Sequence, residues 1–145
     1  MPCRYEILER HDLVHLVCEG VVEIGDLVAL VDALDADPAF HPTIDDLFDL
    51  RHLTEIRIDP ETGSKLTDLV RGLSLRANRS KRIAILATDE PALTGARAFR
   101  SALRKNPAYR IEIFDAPGPA LAFLDQTDPD LIRALSRESV TEALR

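Results

Sequence analysis

The chain has 145 residues, 46% of them apolar and 30% charged, enough for one domain around one substantial core. A net charge of −7 at pH 7 works against general binding to nucleic acid or anionic membrane, because either polyanion would be repelled. Residues 1–52 hold 3 Lys/Arg against 12 Asp/Glu while residues 53–88 hold 7 against 4, a dipolar surface that suits a protein partner better than a polyanion.

No apolar run reaches the roughly 18 residues of a membrane span, and no N-terminal stretch has the layout of a signal peptide, so a cytoplasmic protein is expected. Cys3 and Cys18 fit neither a CxxC nor a zinc spacing. Cys18 alternates with Val14 and Leu16 as a core position, and Cys3 lies near an end expected to fray.

Residues 5–9 and 13–19 are aliphatic or β-branched runs around Arg10-His11-Asp12, which predicts an antiparallel hairpin. Ile24, Leu27, Val28, Val31 and Leu34 then recur at helical spacing, and Asp37-Pro38 ends that helix. The stretch Asp45-Asp46-Leu47-Phe48-Asp49-Leu50-Arg51 encloses an apolar run in charge. It predicts a central strand over 47–50, with Phe48 and Leu50 in the core. Asp49 and Arg51 are two apart, so they share one strand face.

Residues 52–58 read as a short extended link. Asp59-Pro60-Glu61 is a strong helix start, with Asp as N-cap and Pro at the first helical position; Leu66, Leu69, Val70 and Leu73 form the stripe. Residues 82–87 are a near-continuous apolar run, a buried and parallel strand. Thr88-Asp89-Glu90-Pro91 precedes a helix that carries Ala92, Ala96, Phe99 and Leu103. Tyr109, Ile111, Ile113 and Phe114 alternate with Arg110 and Glu112, as on an edge strand. A short helix through Leu121, Phe123 and Leu124 follows, then a last one after Asp128-Pro129 with Leu131, Ile132, Leu135, Val140 and Leu144 as a stripe. The order β-β-α-β-α-β-α-β-α-α predicts an α/β fold with a mixed, mostly parallel sheet flanked by helices.

The opening hairpin, the Phe48-Asp49-Leu50-Arg51 strand, Asp59-Pro60-Glu61 and the helix with Gly95-Ala96-Arg97 together resemble STAS-like (anti-sigma-factor-antagonist-like) proteins. The chain is similar in particular to small stand-alone bacterial members described as STAS/SEC14-related proteins of unknown function. The likeness covers about residues 4–125, which divides the chain into a STAS-like domain over 1–126 and a helical extension over 127–145. In phosphorylated STAS regulators a serine at this helix start accepts phosphate and thereby releases a partner kinase. This chain departs from that motif: Arg51 stands where the strand's serine would be. If Gly63 matches the motif's glycine, Glu61 occupies the acceptor position. The resemblance implies the fold and a recognition surface, and the departure argues against a phosphoswitch.

Two constellations stand out. Asp49 and Arg51 are either an ion pair that pins the loop after the strand, or place Arg51 in the crevice where α/β sheets bind ligands. Arg97, Arg100 and Arg104 share one helix face beside Lys105. With Arg79, Lys81 and Arg82 they make either an anion patch or a solvated face that neutralises an acidic protein. No nucleophile motif, P-loop or dinucleotide fingerprint is present, the histidines form no ligand set, and no cofactor or metal is expected.

The leading expectation is a non-enzymatic regulatory or protein-interaction module, not phosphoregulated, whose partner contacts the start of the Asp59 helix. The residues assigned to binding are Asp49, Arg51, Asp59, Glu61, Thr62 and Arg97. The alternative is a small-ligand binder, with a lipid or other apolar or anionic molecule under the helices and Arg51 or Arg97 holding the head. The last helix, whose stripe has no obvious host within a STAS-like core, points to a homodimer.

Overall fold

The computed structural model describes residues 2–57, 59–76 and 80–143, without the side chains of Thr62, Ser74, Arg76 and residues 137–143. Five strands form one mixed sheet: β1 (Cys3–Leu8), β2 (Leu13–Glu23), β3 (Asp45–Arg57), β4 (Lys81–Leu86) and β5 (Tyr109–Phe114). Their spatial order is their chain order, β1-β2-β3-β4-β5. β1 runs antiparallel to β2, joined by one turn of 3-10 helix over Glu9–His11, and the other neighbours are parallel. The expected mixed sheet is present, with β5 at its edge.

The crossovers β2-α1-β3, β3-α2-β4 and β4-α3-β5 each step one strand in the same direction. Crossovers of one hand then place all three helices on one face. Helices α1 (Ile24–Ala36), α2 (Pro60–Arg76) and α3 (Ala92–Leu103) cover that face through Leu27, Leu34, Leu66, Val70, Ala96 and Leu103. Helices α4 (Pro117–Phe123) and α5 (Pro129–Ala143) cover the other, where Leu13, Leu47, Ala84 and Leu86 meet Leu121, Leu124 and Leu135. Leu131 and Ile132 pack at the margin of this second cluster. The first half of the α5 stripe therefore has an internal host, contrary to the expectation of none; the side chain of Val140 and all of Leu144 lie outside the described residues.

Three local readings change. β3 continues to Arg57, so the stretch read as a link is strand; β2 is itself 11 residues long and offers pairing partners out to Glu23 opposite Arg57. The two long strands stay in step through register shifts on either side of Glu19 and Gly20, and Gly20 takes φ +69°, a conformation glycine reaches without strain. Second, Leu47 is fully buried while Phe48 is only partly so, because Phe48 faces the three-helix side next to Phe99, at 6.2 Å between ring centroids. Third, Cys3 does not fray: it is buried in β1 directly across from Cys18, and both are free thiols.

Candidate functional site

Asp49 and Arg51 share a face, the one covered by α4 and α5. Arg51 clasps Asp49 with two near-parallel bonds, Nε to Oδ1 at 2.9 Å and Nη2 to Oδ2 at 2.7 Å, and the Arg51 amide also donates to Oδ1. His15 Nε2 lies 3.4 Å from Asp49 Oδ2. The same guanidinium donates from Nη1 and Nη2 to the backbone oxygen of Leu135 on α5, each at 3.4 Å. Burial alone would raise the Asp49 carboxyl, but the Arg51 and His15 hydrogen bonds and the Arg51 charge hold it well below the usual carboxylate range. With side chains only 2% and 5% exposed, Asp49 and Arg51 bond to each other and to α5 and do not open on a crevice.

The start of α2 is built as the sequence predicts. Asp59 Oδ1 accepts the Glu61 amide, the Gly63 amide closes onto the Asp59 carbonyl, and both acidic side chains are exposed. Thr62, assigned to the same surface, has a side chain outside the described residues. One turn further, a groove of about 470 Å³ runs between α2 and α3. Ile56, Leu66 and Phe99 lie within it, and Gly63, Ser64, Gly95, Ala98 and Ala102 keep it open by being small.

Arg97 is exposed on α3 and pairs with Glu90 at 3.1 Å. It lines a cleft of about 650 Å³ at the β5 edge together with Arg100 and Arg104. The wider patch does not assemble. Arg82 turns to the opposite face, where it binds Asp45 at 2.9 Å and Asp125 at 2.6 Å and reaches the Phe123 carbonyl. Lys81 is buried in the core, and Arg79 lies outside the described residues.

One pairing escapes the sequence reading. An apolar cavity of about 80 Å³ lies between the sheet and α1, α2 and α3, and Asp46 and Lys81 both line it. Lys81 Nζ bonds Asp46 Oδ2 at 2.7 Å, with exposures of 4% and 8% for the two residues. β3 and β4 pair Asp46 with Ile83, so Lys81, two residues earlier, is its diagonal neighbour on the same face. The readable signal was the matching dipeptides Asp45-Asp46 and Lys81-Arg82 at the starts of two adjacent parallel strands. Period-2 alternation sends one ion pair to each face. Burial, against the pull of Lys81, pushes the Asp46 carboxyl above its ordinary range.

Among the described residues no three His, Cys, Asp or Glu side chains gather as a metal site would require, and no helix is long and apolar enough to cross a membrane. No protein-family profile and no curated protein matches the chain. Among solved structures, an uncharacterised protein of the DUF3478 family with a SpoIIAA-like fold, from Shewanella loihica PV-4, superposes with a TM-score of 0.57 at 19% identity, over 84% of this chain and 93% of that one. At this identity the likeness carries architecture, and on that ground the chain has the SpoIIAA-like, STAS-like fold anticipated from its element order.

Proposed function

We propose that this protein is a non-enzymatic regulatory module of the cytoplasm that docks a protein partner beside the N-terminus of α2. The observation that carries this reading is the α2–α3 groove, a largely apolar trough with several small residues in its walls, Thr67, Asp68 and Arg71 on its α2 side, and Asp59 and Glu61 one turn ahead of it. An acidic end next to an apolar floor suits a segment with one bulky apolar anchor and a neighbouring Lys or Arg. Ala98 is exposed, so Ala98→Arg fills the groove without disturbing the core. Affinity capture from the source cells should recover a partner with the wild-type chain and with Arg100→Glu, and lose it with both Ala98→Arg and Glu61→Lys. A partner retained by both groove variants sinks the assignment.

The module is not switched by a serine kinase at this place, since, with Gly63 matched to the motif's glycine, Glu61 stands where the acceptor serine would and offers no hydroxyl to phosphorylate. After incubation with lysate and ATP, phosphosite mapping should find no stoichiometric phosphate on Thr62 or Ser64. A second reading, binding of a small molecule under the helices, is favoured by the cavity of about 80 Å³. Arg51 is on the other face of the sheet, and Arg97 is at the surface with Glu90, so in this reading Lys81 and Asp46 are the polar groups within reach.

A further inference from the structure

The cavity beneath α1, α2 and α3 is lined by one charged pair, Asp46 and Lys81, beside Tyr109 and Cys18, and the pair is incomplete. Lys81 spends one donor on Asp46 Oδ2, and its ammonium lies 5.8 Å from the Phe40 ring centre and 5.7 Å from that of Tyr109. Asp46 Oδ1, equally buried, has no hydrogen-bond partner among the described residues. A buried charge pair adds little stability over a well-packed apolar pair, and an unpartnered oxygen within it makes the balance worse. A carboxylate oxygen can only accept, so the partner it lacks is an O–H or N–H. A further anion would meet the open carboxylate oxygen, and a further cation would crowd Lys81, so the complement is neutral.

We propose that this cavity binds a neutral, apolar molecule bearing a hydroxyl group, which donates to Asp46 Oδ1 while its hydrocarbon part packs among the side chains under the helices. The inference rests on the second reading above, ligand binding under the helices, and not on the docking of a protein partner. The space is about 80 Å³, roughly half of the 150 Å³ dry cavity that holds benzene, so it takes a hydroxyl end with a few carbons. Leu27, Ile56, Leu66, Gly95 and Phe99 line both the cavity and the α2–α3 groove, so in this proposal the tail of a longer molecule passes between them towards that groove. A donor at Oδ1 favours the ionised carboxylate and so offsets what burial does to Asp46.

The test compares three probes of similar size on the full chain: 1-hexanol, its isomer methyl pentyl ether, which has no donor, and hexanoate. Binding is followed by chemical-shift changes of the Leu30, Val70 and Leu66 methyls. 1-Hexanol is expected to bind about tenfold or more tightly than either competitor, the effect of one hydrogen bond to a charged acceptor. In the double variant Asp46→Leu/Lys81→Met, which replaces the pair by apolar groups of similar bulk, the alcohol and the ether should bind alike. Equal binding of the two by the wild-type chain, tighter hexanoate, or a preference that survives in the double variant overturns the hydroxyl assignment and leaves ligand binding standing. No binding by any probe overturns both, with water alone serving Oδ1. The wild-type comparison decides by itself if the double variant fails to fold.

Discussion

At the scale of single residues, the group with most at stake is Asp49, a carboxylate held ionised in the core by Arg51. Arg51→Met leaves that charge buried with only His15 and the residue-51 amide as the described partners, and is expected to cost about 3–5 kcal/mol in chemical denaturation. Asp49→Leu combined with Arg51→Met should recover most of the loss, because the apolar pair needs no desolvated charge. A single-variant loss under about 1 kcal/mol contradicts this. The pH dependence has a definite sign. The Asp49 carboxyl is depressed in the folded state, so its stabilisation is present above the unfolded carboxylate range and is lost as pH falls through about 4 and below. Asp46 is raised and acts the other way, costing stability as pH climbs from about 4 towards its folded value. Denaturation midpoints from pH 6 to pH 3 should therefore fall less steeply in Asp49→Asn than in the wild-type chain, and a steeper fall would contradict the clasp.

At the scale of elements, β3 is the strand on which both faces depend. Leu47 is in full contact with the α4–α5 side, and Phe48 is partly exposed on the other. Leu47→Ala should cost about 2–5 kcal/mol by leaving a cavity, and Phe48→Ala should cost less despite the larger group removed. Urea titration of the two variants checks the order, and a larger loss for Phe48→Ala contradicts the burial pattern. The paired charges at the strand starts act as element-level pins. Asp45 with Arg82 ties β3 and β4 to the end of α4, and Arg51 ties β3 to α5 through the Leu135 carbonyl. Both are hydrogen bonds from a buried or half-buried guanidinium to a helix carbonyl, and at Phe123, the last residue of α4, the cation also meets the negative end of the helix dipole.

For the whole molecule, the sheet has two covered faces, and α5 completes the second. Leu135 is buried, and Leu131 and Ile132 flank it, so removal of residues 128–145 uncovers Leu13, Leu47 and Leu121. The truncated chain is expected to lose several kcal/mol of stability, at about 25 cal/mol per Å² of apolar surface exposed, with no change in oligomeric state in solution. A full-length dimer that becomes a stable monomer on truncation would instead place the distal half of α5 between two copies. Asp59 and Glu61 put two exposed carboxylates at the end of the groove, in a chain of net charge −7. That field should raise the association rate of a basic partner and lose its effect in high salt.

Local signals were enough for the element order, for helix starts such as Asp59-Pro60-Glu61 and for the mostly parallel sheet. Caps, prolines and the change of period from 2 to 3.6 act over a few residues and do not depend on distant partners. The Asp49–Arg51 pair was legible for the same reason, since a two-residue spacing places both on one strand face. What decided their role was the arrival of α5 from more than eighty residues away, which turned a candidate ligand crevice into a buried clasp. The length of β3, the burial of Cys3 and the partition of helices between faces likewise depend on pairing with other strands. The Asp46–Lys81 site had residues visible in the sequence, but only the β3–β4 register made them diagonal neighbours. Whether a charge lies in solvent or in a core is a property of what packs over it, and that is set by the tertiary structure.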